Sequence, residues 1–287
     1  MRRLLIVGCG DVALRMVPLV RGRSSIYALT RDRGRFAELR AAGVRPVWGD
    51  LDQPQTLSAL AGLAHDVVHF APPPSRGLRD TRTRHLIAAL AKGKSLPQHL
   101  VYISTSGVYG DCGGALVDET RPTNPQTGRA RRRADAERAL RTWGARSGVA
   151  VTILRVPGIY AADRLPIARL ERGTPALRHD EDAYVNHIHA DDLARACVAA
   201  LYRGQPNRSY NAVDDAAVKM GDYFDLVAER TGLPRPPRVS RDEARRVVPP
   251  QLYSFMTESR RLVNTRLKRE LRVALRYPTV HHGVAAA

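Results

Sequence analysis

The stretch LLIVGCGDVA, Leu4–Ala13, constrains the fold more than any other part of the chain. Its first half, Leu4–Cys9, has the apolar make-up of a strand buried on both faces. Gly8 and Gly10 then break the run, and an apolar helical pattern continues to about Val20. Strand, glycine turn and helix in that order fit G-x-G-x-x-A at Gly8, Gly10 and Ala13. In such a turn the first glycine permits the tight bend. The second lets a pyrophosphate approach the backbone, and the small third residue allows close helix–strand packing. Gly8, Gly10, Asp11 and Val12 are therefore the first candidate cofactor-binding residues.

The same rhythm repeats through the first half of the chain. Apolar runs at 25–30, 44–50, 66–71, 99–105 and 149–156 read as strands. Amphipathic stretches between them read as helices, one ending at Gly43 and one covering about 80–92. Strands alternating with helices at this spacing form βαβ units and a parallel sheet. The expected fold class is α/β, a Rossmann-type doubly wound sheet with a smaller C-terminal substrate lobe. Residues 1–157 form the expected nucleotide-binding domain. Residues 158–287 form the remainder, with about 188–232 expected partly to rejoin the sheet and the rest to build the lobe.

Composition narrows the class of protein. Hydrophobic residues make up 44% and charged residues 26% of the 287, as in a water-soluble globular chain. No apolar run approaches the ~20 residues a spanning helix needs, so no membrane role is expected. Cys9, Cys112 and Cys197 are scattered, without metal-ligand or disulfide spacing, which fits reduced thiols and a cytoplasmic protein. No metal site is expected. The formal charge of +18 invites a nucleic-acid reading. Against it, lysine occurs only at Lys92, Lys94, Lys219 and Lys268, and the arginines spread along the whole chain with no basic tail. That pattern looks compositional, and a small-molecule substrate is the expected partner.

The end of the second strand bears on cofactor choice. An NAD-binding chain usually places Asp or Glu there to accept from the ribose 2′-hydroxyl. This chain has Thr30 and Arg31, and a guanidinium suits a 2′-phosphate. NADP is therefore favoured over NAD, while Asp32 keeps NAD open.

Several further segments carry a resemblance. GDL at Gly49–Leu51, VVHFA, STSGVYGD (104–111), DET (118–120), RVPGIY (155–160), IHADDLARA (188–196) and YNAVDD occur in this order. So ordered, the chain resembles the extended short-chain dehydrogenases/reductases of the NAD-dependent epimerase/dehydratase group, over nearly its full length. The group typically has a longer G-x-x-G-x-x-G loop, so this chain looks like an atypical branch. The resemblance implies that Asp50 hydrogen-bonds the adenine with Leu51 beside it. It implies that Phe70 and Ala71 line the middle of the cofactor site. A homodimer through the helices flanking the fifth strand is the usual arrangement, although the basic helix from Gly128 counts against it here.

In that group a tyrosine, and a lysine four residues later, lie on the helix after the fifth strand. The tyrosine exchanges a proton with the substrate oxygen, and the lysine lowers its pKa and holds the ribose. Counting back from Glu137 puts Arg133 at the lysine position and Arg129 at the tyrosine position. No register shift restores the pair, because no lysine lies between Lys94 and Lys219 and no tyrosine between Tyr109 and Tyr160. Arg133 is the candidate for a ribose or phosphate contact. An ion pair of Glu137 with Arg141 on a solvated helix face is the plainer reading of these arginines. The dehydratase signature S-T-D-E-V-Y-G is here S-T-S-G-V-Y-G, which removes the acidic pair used in that elimination.

Thr105 falls where the group places a hydroxyl against the substrate oxygen, and Tyr109 is a second catalytic candidate. Tyr160, His187 and His189 complete the set of other proton donors. The expected function is an NAD(P)-binding oxidoreductase or epimerase acting on a hydroxyl or carbonyl substrate, sugar nucleotides among the candidates, with a non-standard acid/base. The alternative is a catalytically silent dinucleotide-binding sensor or scaffold.

Overall fold

The computed structural model describes residues 1–285. Seven strands form the central sheet: β1 (Arg2–Val7), β2 (Ser24–Thr30), β3 (Arg45–Trp48), β4 (Asp66–His69), β5 (His99–Thr105), β6 (Ala150–Val156) and β7 (Arg208–Asn211). Their spatial order is β7-β6-β5-β4-β1-β2-β3, and every neighbouring pair is parallel. This is the Rossmann arrangement. The chain winds outward from β1 to β3, then returns to place β4 on the other side of β1. The direction reverses between β1 and β4, which opens a crevice at their C-terminal ends.

Helices cover both faces. On one side lie α1 (Asp11–Val20) and α5 (Ala190–Arg203), sharing a core with Leu4, Ile6, Val68 and Val101. Val12, Ala13, Met16, Val17 and Val20 put one stripe of α1 inside. On the other side lie α3 (Thr81–Leu90) and α4 (Gly128–Ser147), packed with Leu5, Val67, Leu100 and Tyr102. Helix α2 (Phe36–Ala41) lies between β2 and β3. The starts of α3 and α4 are fixed by side chains: Asp80 accepts from the Thr83 amide, and Thr127 from the Ala130 amide. Helix α4 stops at Gly148, which sits at φ +77°.

Glu137 of α4 does not pair with Arg141 on a solvated face. Its carboxylate is buried and takes the Arg155 guanidinium at 2.8 Å and the Ser104 hydroxyl at 2.5 Å. Arg141 turns instead to the Asn207 carbonyl and the Ser209 hydroxyl. The reason is position: Glu137 faces β5 and β6, where a lone carboxylate without that arginine would be costly. The exposed surface of α3 and α4 carries Arg84, Arg131 and Arg138.

The lobe is built from chain on both sides of β7. Its three-stranded sheet joins Gly158–Tyr160, Tyr184–His189 and Ala217–Lys219. Helix α6 (Met220–Thr231) packs Tyr223, Phe224, Val227 and Ala228 against Leu177, Met256 and Val280. The return to the main sheet is therefore made by α5 and β7, and α6 belongs to the lobe, contrary to the span expected up to 232. Its apolar face is buried against lobe residues and so belongs to their core. No helix among the described residues is long and apolar enough to cross a membrane.

Candidate functional site

A cleft of about 630 Å³ opens at the C-terminal ends of the strands flanking the switch point, in front of α1. Gly8 sits at φ +89°, and a Cβ there would lie 2.6 Å from the Ala71 amide nitrogen. Only glycine fits between β1 and the end of β4. Gly10 precedes α1, has no side chain to cap it, and has open space where a Cβ would point. The first-turn amides of α1 are thus left without a side-chain acceptor, and an anion suits that end of a helix. Asp11 and Val12 line the same mouth. The Asp11 carboxylate is neutralised by Arg15 and Arg164, each at 2.9 Å.

Thr30 and Arg31 line the far end of the cleft. The Thr30 hydroxyl is engaged by Asp32, whose carboxylate accepts from the Gly34 amide at 2.8 Å and caps a short helical turn. Asp32 does not line the cleft, whereas the exposed Arg31 does. Arg35 adds a second guanidinium there, tied to the Cys9 carbonyl at 2.7 Å and to Glu38. Arg82 adds a third, paired with Asp52 at 2.6 Å. Asp50 and Leu51 also line this end, with Asp50 spending one oxygen on the Asp52 amide at 2.9 Å. Burial pushes the Cys9 thiol up to about 11, so it stays protonated at neutral pH.

The middle of the cleft is closed by Phe70 and Ala71. Arg133 reaches in from α4 and donates to the Ile103 carbonyl at 2.8 Å and the Tyr102 hydroxyl at 3.1 Å. Thr105, at the end of β5, accepts from the Gly107 amide at 3.2 Å.

Beyond Thr105 a second cleft of about 400 Å³ runs between the start of α4 and the lobe. Thr105, Arg129 and Pro157 line both clefts, so the two adjoin. The second has aromatic walls, Tyr184, Tyr223, Phe224 and Phe255, with Glu258 and Arg260 paired at 2.6 Å.

Tyr109 is not in either cleft. It is 1% exposed and donates to the Asn211 side chain at 2.8 Å, so it serves as a buried tie to β7. Burial also pushes its hydroxyl up to about 12. Tyr160 is equally buried and donates to the Thr279 carbonyl. His189 caps α5 by accepting from the Asp191 amide at 3.2 Å. Of the four proton-donor candidates only His187 lines a cleft, the second one. Arg35, Arg82 and Arg164 were missed from sequence, although Arg35 lies one turn beyond Arg31 in an arginine-rich run. Nothing in the local sequence singled out Arg169, Tyr223 or Phe255.

A model of the NAD-dependent epimerase/dehydratase family matches residues 17–212. The chain belongs to this family. The match starts just beyond the glycine loop. Among curated proteins, mouse dTDP-D-glucose 4,6-dehydratase is 25% identical over 122 residues, 40% of this chain and 34% of that protein. The chain therefore aligns with only about a third of that dehydratase. A ketoreductase of Stigmatella aurantiaca, named for a farnesyl dihydroquinoline-oxide substrate, is 24% identical over 81% of this chain and 74% of that protein. Among solved structures, a conserved protein of unknown function from Silicibacter pomeroyi superposes with TM-score 0.80 and 29% identity, covering 100% of this chain and 98% of that one. A dTDP-glucose 4,6-dehydratase from Streptomyces venezuelae, solved with NAD bound, gives TM-score 0.78 at 20% identity, covering 99% and 96%. The latter likeness concerns the fold.

Proposed function

We propose that the chain is an NAD(P)-dependent oxidoreductase or epimerase that acts on a hydroxyl or carbonyl substrate held in the second cleft. The observation that carries this reading is the junction of the two clefts at Thr105. One cleft has a glycine cradle, a bare helix N-terminus and flanking guanidiniums, which suit a dinucleotide. The other is a smaller cleft with aromatic walls, which suits a small organic molecule. A nicotinamide dinucleotide would supply or accept hydride at the junction.

The chain's own groups would do the rest. The first-turn amides of α1 would take the pyrophosphate, with Gly8 and Gly10 allowing its approach. Arg133, steadied by the Ile103 carbonyl, would contact the ribose or a phosphate. The Thr105 hydroxyl accepts from an amide and keeps its own hydrogen free for a substrate oxygen. Arg129 remains protonated at neutral pH and cannot act as a base. NADP is preferred because Arg31 is free to meet a 2′-phosphate while Asp32 is committed to its turn. The ketoreductase relative supports reduction of a carbonyl as the net direction. A silent sensor or scaffold is not favoured, since it gives no role to the second cleft.

The test is a fluorescence titration with NADPH and NADH, on the natural chain and on Arg31→Ala. NADPH is expected to bind more tightly, and the substitution to cost it about 10- to 100-fold, the worth of a charged hydrogen bond. An unchanged ratio of the two nucleotides in Arg31→Ala would overturn the NADP preference. No binding of either nucleotide would overturn the cofactor reading itself.

A further inference from the structure

The charges of the second cleft do not balance. Glu258 and Arg260 neutralise each other, and Arg260 also donates to the Gly110 carbonyl at 2.8 Å. Two guanidiniums then remain. Arg129 stacks over Phe255 at 4.7 Å and has no carboxylate within ion-pair distance among the described residues. Arg169 lies over Phe224 at 4.0 Å, donates to the Pro175 carbonyl at 3.1 Å, and has a buried Nε with no partner. Burial pushes it down to about 10. Both still carry their charge at neutral pH; Arg169 is half-buried, where water compensates it poorly, whereas Arg129 stands exposed at the cleft mouth.

A third polar group points the same way. His187 is 6% exposed, lines the cleft, and has a buried Nδ1 without a hydrogen-bond partner. Native interiors rarely leave such donors and acceptors unpaired unless something else meets them. The remaining walls, Tyr184, Tyr223, Leu252 and Met220, offer apolar surface. A ligand that suits this lining has an apolar body and one anionic group.

We infer that the second cleft selects an organic carboxylate with an aromatic or aliphatic body, its carboxylate recognised by Arg129 and Arg169. This rests on the reading of that cleft as the substrate site. A nucleoside diphosphate is the competing anion, but its hydrophilic sugar and two phosphates match the aromatic walls less well.

The experiment is calorimetric titration of the NADPH-saturated protein with 3-phenylpropanoate, its uncharged isostere 3-phenylpropanamide, and UDP. The acid is expected to bind at least about 10-fold more tightly than the amide. Arg129→Gln and Arg169→Gln should each remove most of that difference while leaving the amide unchanged. Arg138→Gln, whose side chain is 75% exposed on α4, should change nothing. Because Arg169 also packs on Phe224, Arg169→Lys is included to keep the charge, and it should retain part of the acid's advantage. Equal binding of acid and amide, no binding of the acid, tighter binding of UDP than of the acid, or full acid affinity in both Gln variants would each overturn the inference. Acid binding in a protein that fails to bind NADPH would instead sink the cofactor reading and leave this one standing.

Discussion

Arg155 and Glu137 meet at 2.8 Å beneath the sheet's C-terminal edge, both side chains at least nine-tenths buried. The pair links α4 to β6 and, through Ser104, to β5. It sits directly below the residues that line the clefts. Removing one partner strands the other charge in a dry place. Glu137→Ala is expected to cost about 3–5 kcal/mol of folding stability. Urea denaturation measures it, and a loss below about 1 kcal/mol would show that the arginine finds another partner.

Gly8 and Gly10 should respond differently to the same change. Gly8→Ala forces a Cβ at φ +89° onto the Ala71 backbone, so it should lower both stability and nucleotide affinity. Gly10 is at φ −93°, with nothing near the added methyl. Gly10→Ala should leave thermal stability close to that of the natural chain and weaken nucleotide binding alone. Thermal melts and nucleotide titration on the two variants separate the effects. Equal affinities in Gly10→Ala and the natural chain would mean that no ligand comes close to this turn.

Tyr109→Phe should matter to folding and not to chemistry. Its hydroxyl is the donor to the Asn211 Oδ1, so its loss leaves a buried acceptor short and costs about 1–3 kcal/mol. Nucleotide affinity, and turnover in any assay found, should be unchanged. Lost turnover with intact nucleotide binding would return Tyr109 to the catalytic candidates.

Two buried histidines set a pH window. Burial holds His187 at about 4, and burial with Arg133 nearby holds His69 at about 3, against an ordinary value of 6.5. The unfolded chain therefore binds protons between pH 6.5 and about 4 that the folded chain refuses. Stability contributed by neutral rings is present above pH 6.5 and is lost as the pH falls through that window. Each ring steepens the slope by up to about 1.4 kcal/mol per pH unit. His187→Gln should flatten the fall in urea midpoint between pH 7 and pH 4.5, whatever it does to the midpoint itself. A slope equal to that of the natural chain would mean that His187 is solvated.

The Rossmann sheet was legible because its signals are local. Leu4–Ala13 declares a strand, a turn and a helix within ten residues, and the later βα units repeat that period. The residues expected at the cofactor cleft fall together because most sit at strand ends, which topology gathers at one edge. The second cleft was legible only at Thr105, through its motif, and at His187. Arg129, Arg169, Tyr223 and Arg260 come from distant segments, and nothing in their neighbourhoods marks a wall. Glu137 was misassigned because an i,i+4 rule on the helix was applied to a residue whose true partner lies on a strand 18 positions away.

Strand β6 ends at Val156 and its outer neighbour β7 begins only at Arg208, after the first part of the lobe has been made. On a ribosome, β6 is finished first and waits as an open edge while roughly fifty residues follow, a delay of about 3–10 s at ordinary elongation rates. An arrested chain ending near residue 157 would expose that edge permanently. Residues 1–157 are therefore not a module that can be cut out and grafted, and the completion of their sheet is timed by the synthesis of the chain that follows.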